Sequence, residues 1–409
     1  MTGRPGPAVL ILNPGSTSLK AVLYDRAEHE PAPHHPAPRL TAQIDRLGTP
    51  DARWTLQTSG SPPETSPFVG DLPAAVRMLA DWLHHDGVGV AAVAHRVVHG
   101  GSAFTHPVLI DDATRLALDA LTGWAPLHMP GDLASIDAAR AAWPEARHVA
   151  CFDTAFHHTL PDEGRRLPLP ADLDAAGIRR YGFHGLSMQS VIDAVPDLGG
   201  AVVAHLGGGC SVTALHDGRS MFTTMSLTPT GGIASATRSG DVDPEIPLLL
   251  LERPGATVDG VRALVGRQSG LAGIAGGVSD VRDLLAARTT VPAADLALRV
   301  FTRAVAGAIG AAVTTLPCWD TLVFTGGVGE HAPPVTGDIC RRVLALRGSV
   351  ELADPVGQAR PGPDTGWKGD GQLWMDALRA TGLRVLVVPA DEAGVMVRQT
   401  RRLLADQAG

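Results

Sequence analysis

The sequence predicts an α/β protein of two domains, from its length, its alternating segments and a repeated hairpin. The chain has 409 residues, more than one ordinary hydrophobic core accommodates. Apolar runs of strand length alternate with helical stretches rich in Ala, Leu and Arg, a pattern typical of α/β folds. The segments VLILN-PGSTS-LKAVLYD and AVVAHL-GGG-CSVTAL each indicate a strand, a Gly-rich turn and a second strand. Two such hairpins predict a duplicated domain, with each copy offering a tight turn to a shared cleft.

Strands are predicted where short apolar runs are bounded by Gly, Pro or polar residues, and helices where longer amphipathic segments occur. The predicted strands are 8–12, 19–24, 92–98, 148–152, 201–206, 210–215, 321–325 and 384–389. The predicted helices are 72–85, 111–122, 132–142, 187–195, 257–267, 280–288, 293–315, 372–381 and 392–406. Two Pro-rich segments, 29–38 and 361–372, predict exposed loops.

Composition argues against several classes of function. A formal net charge of -8 argues against a nucleic-acid partner, because phosphate backbones attract basic surfaces. We expect no signal peptide and no membrane partner, since no apolar run approaches membrane-spanning length. Four cysteines without a C-x-x-C pair indicate the reduced thiols of a cytoplasmic enzyme: Cys151, Cys210, Cys318 and Cys340.

The first hairpin turn gathers polar groups suited to phosphate: Asn13, Gly15, Ser16, Ser18 and Lys20. Glycine permits close backbone approach, and hydroxyl and amide groups can face phosphate oxygens. This is not a Walker A loop, because no Ser or Thr follows the lysine and a strand stands where a helix should begin. Taken alone, the turn is explained slightly better as an ordinary hairpin, in which Asn, Gly and Ser are common.

Two further Gly-rich turns strengthen the case for a nucleotide. The second turn, HLGGGCS, runs from His205 to Ser211 and places three glycines between apolar strands. Close approach of a polyphosphate explains them, and so does a β-bulge. The third turn, FTGGVGE, follows a strand and opens toward a helix, which suits the adenosine part of a nucleotide.

Two arginines stand in positions suited to a transferring phosphoryl group. Arg96 ends a strand in VAHRVVHGG, and Arg238 lies in ATRSGDVDP, which cannot form regular helix. The planar guanidinium matches phosphoryl oxygens, and phosphoryl transfer depends mainly on positioning and charge stabilisation. A surface ion pair is the alternative for either arginine taken singly.

Histidines and carboxylates complete the candidate site. His128 (APLHMP) and His184 (YGFHG) are either structural residues or donors to a phosphoryl or carboxylate oxygen. Asp153 directly follows a predicted strand, and Glu392 lies in PADE near the C-terminus. Because magnesium prefers one or two carboxylates together with phosphates and water, both are candidates for the metal side of the site.

Taken together, these segments resemble the acetate kinase family, within the actin/Hsp70/sugar-kinase superfamily. The motifs that carry the resemblance span nearly the whole chain: LNPGSTSLK (12–20), AHRVVHGG (94–101), APLH (125–128), FDTAFH (152–157), RRYGFHG (179–185), HLGGG (205–209), TRSGDVDP (237–244), SDVRD (279–283), FTGGVGE (324–330) and PADE (389–392). The resemblance implies direct in-line transfer between ATP and a small carboxylate, giving ADP and an acyl phosphate. It implies acetate as the acceptor.

The resemblance also implies roles for individual residues. Arg96 and Arg238 stabilise the phosphoryl group during transfer. His184 contacts this group, and His128 supports the same transition state. Asp153 positions substrate or metal. Mg²⁺ (or Mn²⁺) lies beside Asn13 and Glu392. ATP or ADP is held by Lys20, Ser16, Ser18, His205, Leu206, Gly207, Gly208, Gly209, Asp280, Val281, Arg282, Gly327, Val328 and Gly329. The carboxylate meets Arg96 and a small apolar pocket formed by Val98, Leu127, Phe183 and Pro229.

The fold that the resemblance implies is a two-domain actin-like ATPase, with duplicated ribonuclease-H-like cores of the βββαβα type around a central cleft. The expected N-terminal domain is 1–153 plus 394–409. The expected C-terminal domain is 154–393, carrying the nucleotide site and the interface of a homodimer.

The sequence departs from the family pattern at several positions, which bear on acyl preference and rate. Gly208 replaces a usual Asn, and HLGGG and NPGSTS resemble the butyrate kinase branch. The other departures replace Asn, Thr, His, Leu and Glu: Met129, Asp132, Leu186, Met188, Thr230 and Gly231.

Three hypotheses follow. An acetate (or propionate) kinase ranks first, and a butyrate or longer-chain acyl kinase ranks second, because FDTAFH and TRSGD are not expected in that branch. A nucleotide-binding protein without phosphotransfer ranks third, since Arg96, Arg238, Asp153 and His184 are all retained.

Overall fold

The computed structural model describes residues 8–15, 17–25, 37–347 and 368–407, which form thirteen strands and fifteen α-helices. The strands are β1 (Ala8–Pro14), β2 (Ser18–Tyr24), β3 (Leu40–Asp45), β4 (Arg53–Thr58), β5 (Glu64–Pro67), β6 (Val90–Val97), β7 (Val108–Leu109), β8 (Arg147–Phe152), β9 (Gly200–Leu206), β10 (Cys210–His216), β11 (Arg219–Thr223), β12 (Thr321–Thr325) and β13 (Arg384–Val387). The helices are α1 (Leu72–His85), α2 (Asp112–Asp119), α3 (Met129–Ala142), α4 (Asp162–Arg165), α5 (Ala171–Ala175), α6 (Gly185–Ala194), α7 (Glu245–Leu251), α8 (Val258–Arg267), α9 (Gly270–Ile274), α10 (Val281–Ala287), α11 (Pro292–Val313), α12 (Gly326–His331), α13 (Pro333–Val343), α14 (Lys368–Arg379) and α15 (Glu392–Asp406).

The chain divides into two compact units. The N-terminal unit comprises residues 1–158, 185–193 and 391–409, and the C-terminal unit comprises 159–184 and 194–390. The N-terminal unit therefore includes most of helix α6, which the sequence analysis assigned to the C-terminal domain.

The N-terminal unit is built on an eight-stranded sheet with the order β5-β4-β3-β2-β1-β6-β8-β7. β1 pairs antiparallel with β2 and parallel with β6, and β6 pairs parallel with β8. Successive side chains of a strand point to opposite faces. In β1, Leu10 and Leu12 accordingly pack in a cluster with α1, whereas Val9 and Ile11 pack with α15. Both faces of β1 are covered, which explains its nearly continuous apolar sequence.

The C-terminal unit is built on a five-stranded sheet with the order β11-β10-β9-β12-β13. β9 and β12 pair in parallel, with His205 opposite Thr325 at their carboxyl ends. The second and third Gly-rich turns therefore begin at the same edge of this sheet.

Helix α11 corrects one expectation. By length and composition its 22 residues could cross a membrane, although no run of that length was expected. One face of the helix, including Leu298, Phe301, Val305 and Ile309, is buried in the core of the C-terminal unit. A core helix of a globular unit satisfies the same criteria, so this single helix is weak support for a membrane span.

All eight predicted strands and nine predicted helices are confirmed; β12, α1 and α15 have the predicted bounds, and the others have shifted ends. The sequence missed β3, β4, β5, β7 and β11, because their side chains alternate between polar and apolar or are too few to form an apolar run. It also missed α4, α5, α7, α9, α12 and α13. The predicted loops lie mainly outside the described residues; the second was wrong from residue 368 onward, where α14 begins.

Candidate active site

The first hairpin turn joins β1 to β2 and is closed by a backbone hydrogen bond from Gly15 N–H to the Ser18 carbonyl, 2.8 Å long. A Cβ at Gly15 would lie 2.5 Å from Ser18 Oγ, so the turn needs glycine for close approach. Asn13 and Lys20 are direct cross-strand partners, and cross-strand partners share one face of a sheet. Ser16 lies outside the described residues.

Asn13 meets Glu392 across 379 positions of sequence. Asn13 Nδ2 donates to Glu392 Oε2 at 3.2 Å, and Asp391 caps the helix that begins at Glu392 by accepting from Gly394 N–H at 2.9 Å. One half-buried carboxylate and one amide oxygen are hard donors of the kind Mg²⁺ prefers when phosphates and water complete its shell. Among the described residues, no group of three or more His, Cys, Asp or Glu gathers to form a complete protein cage. The residues present fit a magnesium ion shared with a nucleotide.

Arg96 and Asp153 form a two-pronged ion pair at the carboxyl ends of β6 and β8. Arg96 Nε donates to Asp153 Oδ1 at 3.1 Å, and Nη2 donates to Oδ2. Asp153 is 1% exposed, and its own backbone bonds to Val97 and Gly185. Arg96 Nη1 lies 3.4 Å from the carbonyl oxygen of Pro14, in the first hairpin turn. The guanidinium is thereby fixed by groups from two other segments, directly after β8 and at the end of β1.

Three carboxyl groups influence Arg96. Burial opposes its charged form, but the charges of Asp153, Glu392 and Asp132 outweigh this effect and raise the pKa of Arg96. Asp132 was noted in the sequence only as a departure from the family pattern. It is 3% exposed on α3, and its Oδ2 accepts a 2.8 Å hydrogen bond from Val98 N–H. Burial raises the pKa of Asp132 to about 7.

His128 and Leu127 precede helix α3, and both are half-buried. The backbone oxygen of His128 accepts from Asp132 N–H at 3.1 Å, so the histidine and the buried carboxyl group are one helical turn apart. Val98, two residues after Arg96, is 1% exposed. The N-terminal unit thus brings Asn13, Glu392, Arg96 and Asp153 together, with the segment that holds His128 linked to them through Asp132 and Val98.

In the C-terminal unit, His184 has a left-handed backbone with φ 60, which is uncommon for a residue other than glycine. Its Nδ1 lies 2.9 Å from Ser211 Oγ, and its ring stacks on that of His205 with centroids 4.1 Å apart. Sequence analysis placed His205 and Ser211 in the second Gly-rich turn but did not predict their contacts with His184. Both come from β9 and β10, where they flank the second Gly-rich turn.

Arg238 lies beside the same turn. Its Nη1 donates to the Pro229 carbonyl at 2.9 Å. A Cβ at Gly209 would lie 3.0 Å from Arg238 Nη1 and 3.2 Å from His184 Nε2, so both side chains border this glycine. Pro229 and Phe183 are buried. The stretch 237–244 contains no helix, as predicted.

The second and third Gly-rich turns are in contact. Gly326 has φ +77, and a Cβ there would lie 2.8 Å from the Leu206 carbonyl oxygen and 3.1 Å from His205 Nε2. A Cβ at Gly207 would lie 3.7 Å from the same imidazole nitrogen. Sequence analysis predicted both turns but did not single out Gly326, whose conformation is what allows them to meet. Of the other predicted members, Leu206 is the last residue of β9 and Gly208 lies in the second turn. Gly327, Val328 and Gly329 lie in helix α12, so most of the third turn is the start of this helix.

The SDVRD segment is the N-terminus of α10. Asp280 caps the helix through Arg282 N–H at 2.8 Å and also pairs with the Arg282 guanidinium. The hydrogen bonds from Arg282 lower the pKa of Asp280. Val281 is buried in the hydrophobic core of the unit, so its side chain contributes packing rather than a polar contact.

Comparison with known proteins gives the family. The acetokinase family model matches residues 8–358. The acetate kinases of Thermosynechococcus vestitus and Deinococcus radiodurans are each 37% identical to the chain, over 97% and 96% of it and over 98% and 96% of their own lengths.

Among solved structures, a propionate kinase from Francisella tularensis matches with a TM-score of 0.81 and 28% identity, covering 96% of this chain and 98% of that one. The acetate kinase of Porphyromonas gingivalis matches with a TM-score of 0.75 and 28% identity, covering 98% of this chain and 100% of that one. These likenesses confirm the expected two-domain actin-like ATPase fold. The family model, the relatives and the fold agree, and the chain belongs to the acetokinase family.

Proposed function

We propose that this chain is a phosphotransferase that reversibly moves a phosphoryl group from ATP to acetate, giving acetyl phosphate and ADP. Family membership supports the reaction class, and relatives named acetate kinase match nearly the whole chain. The observation that carries the proposal is the two-pronged Arg96–Asp153 pair, in which a buried carboxylate fixes a partly buried guanidinium at the ends of two parallel strands. A preoriented cation of this kind stabilises charge that develops on a transferring phosphoryl group.

The proposal assigns each charged residue a role in one in-line transfer. Arg96 and Arg238 neutralise the equatorial oxygens of the phosphoryl group, and His184 donates to one of them. Asp153 holds Arg96 in place, and His128 supports the same transition state. In support, His184 and Arg238 both border Gly209, and Asp153 is buried against Arg96.

The nucleotide and the metal complete the proposed site. ATP or ADP is held by Lys20, Ser16 and Ser18 of the first turn, by 205–209 and 327–329 of the contacting turns, and by 280–282. Asn13 and Glu392 would hold Mg²⁺ or Mn²⁺, which when bound neutralises phosphate charge. The contact between Gly326 and His205 supports a single binding edge made from two turns.

Acetate is the proposed acceptor because Val98, Leu127, Phe183 and Pro229 would leave a small apolar pocket. One methylene changes discrimination by only about 1–3 kcal/mol, so propionate is the second candidate, favoured by the likeness to a propionate kinase structure. Butyrate is the third candidate, because Gly208 in HLGGG resembles the butyrate kinase branch.

The test is a hydroxamate assay with purified protein, ATP, Mg²⁺ and acetate, propionate or butyrate. We expect kcat/KM to be highest for acetate. If kcat/KM rises with the chain length of the acid, the preferred acceptor is a longer acid and not acetate. ATP binding without acyl phosphate from any of the three acids would support a non-catalytic nucleotide-binding protein instead.

The proposal includes a cytoplasmic homodimer that assembles through the C-terminal unit. Helix α7 has no buried residue and exposes Ile246, Leu248, Leu249 and Leu251. An exposed cluster of this size typically marks an interface. All four cysteines are free, in keeping with a reducing compartment. Light scattering should give twice the chain mass, and Leu248→Glu together with Leu249→Glu should give a monomer.

A further inference from the structure

The buried carboxyl group of Asp132 has no role in the reaction described so far. It lies on α3, one turn after His128, and accepts a 2.8 Å hydrogen bond from the backbone N–H of Val98. Val98 belongs to the proposed acyl pocket and is two residues from Arg96. This hydrogen bond therefore connects the start of α3 to the end of β6, which contains Arg96 and is directly followed by Val98.

The charge of Asp132 is a second observation. Arg96 pairs with Asp153, and the negative charges of Glu392 and Asp132 also raise the pKa of Arg96. Burial and the charge of Asp153 raise the pKa of Asp132, whereas the charge of Arg96 and the hydrogen bond from Val98 N–H favour its ionised form. On its other side, α3 meets α2 through exposed pairs of which Arg115–Asp137 is one. An ionised Asp132 thus adds negative charge where an anionic substrate would approach Arg96.

We propose that Asp132 is a positioning residue that sets the affinity for the carboxylate substrate, through its bond to Val98 N–H and its negative charge beside Arg96. The inference rests on the proposed function, because it assigns Arg96 and Val98 to the carboxylate site. It concerns that substrate alone and leaves the affinity for ATP unchanged. Since burial raises the pKa of Asp132 to about 7, the carboxyl group is largely neutral one unit below that value and ionised one unit above it.

The primary test is Asp132→Asn, which retains an oxygen acceptor for Val98 N–H and removes the charge. Wild-type enzyme should show a KM for acetate that rises between about pH 6 and about pH 8. In D132N this rise should disappear, and the KM for acetate at about pH 8 should fall by roughly tenfold, the equivalent of one pKa unit. The KM for ATP should stay unchanged. Asp137→Asn, on the exposed side of the same helix, is the matched control and should behave as wild type.

A second variant isolates the hydrogen bond. Asp132→Leu removes the charge as D132N does, but leaves Val98 N–H without its acceptor. Its KM for acetate should exceed that of D132N by about fivefold or more, because Val98 then loses the hydrogen bond that fixes its position beside the carboxylate. If D132L does not fold, D132N alone decides the matter.

An unchanged KM for acetate and an unchanged pH profile in D132N overturn the inference, and so does an equal change in the KM values for acetate and ATP, which a purely structural role would cause. Failure of the proposed function has a different signature: wild-type enzyme that forms no acyl phosphate from any short acid. An active wild type with an indistinguishable D132N removes only the role of Asp132.

Discussion

The contact between the second and third Gly-rich turns predicts opposite effects for two adjacent glycines. Gly326 has φ +77, and a Cβ there would approach the Leu206 carbonyl oxygen to 2.8 Å. Placing alanine in the left-handed region costs about 1–2 kcal/mol, and forcing the neighbouring backbone aside adds about 1–3 kcal/mol. Gly326→Ala should therefore destabilise the C-terminal unit by about 2–5 kcal/mol.

Gly327 is the matched control. It lies in the same helix, α12, and a Cβ there would have no atom within 4 Å. Alanine is favoured over glycine in a helix by about 0.5–1 kcal/mol, so Gly327→Ala should stabilise the unit slightly. The two substitutions add the same methyl group at neighbouring positions, and only the local backbone and its surroundings differ.

Thermal unfolding of the wild type and the two variants without nucleotide measures both effects. For a unit of this size, 1 kcal/mol shifts Tm by about 2–4 °C, so G326A should lower the Tm of the C-terminal transition by roughly 5–15 °C. G327A should raise it by about 1–4 °C. Equal shifts in the two variants, or a G326A protein as stable as wild type, would refute the argument that this turn requires glycine.

Three further predictions concern the N-terminal unit. Arg96→Lys should lower kcat/KM in the hydroxamate assay by at least about 100-fold, because an ammonium cannot reproduce the two-pronged bond to Asp153; activity within threefold of wild type (about 0.7 kcal/mol) would contradict this. Asp132 has a raised pKa, so the folded state holds its proton more tightly than the unfolded chain, and its contribution to stability falls as pH rises from about 4 to about 7. Compared with wild type, Asp132→Asn should be equally stable near pH 4 and more stable at pH 8, by up to about 4 kcal/mol, in urea titrations; a stability difference that does not vary with pH would exclude this ionisation. Glu392→Gln should raise the Mg²⁺ concentration needed for half-maximal activity by about tenfold or more, whereas Asp406→Asn, exposed on the same helix, should not.

Local sequence patterns were sufficient to predict several features of this molecule. Apolar runs located β1, β6, β9 and β12, because strands covered on both faces must be apolar along their length. The Gly-rich turns were visible because few other residues allow a backbone to turn and approach a neighbour so closely. Strands with alternating polarity, such as β3, were missed because the apolar-run criterion does not detect one-sided burial.

The sequence by itself determined the α/β class, the position of the Gly-rich turns, and the residue types available for chemistry. The tertiary structure alone decided which of them meet. Arg96 pairs with Asp153, 57 positions away, and Asn13 meets Glu392, 379 positions away. Neither pairing has a local signal, because it depends on β8 lying beside β6 and on α15 packing against β1. The same holds for Asp132: its carboxyl group was visible in the sequence, but its burial against Val98 N–H, and hence its raised pKa, arises only when α3 packs on the sheet.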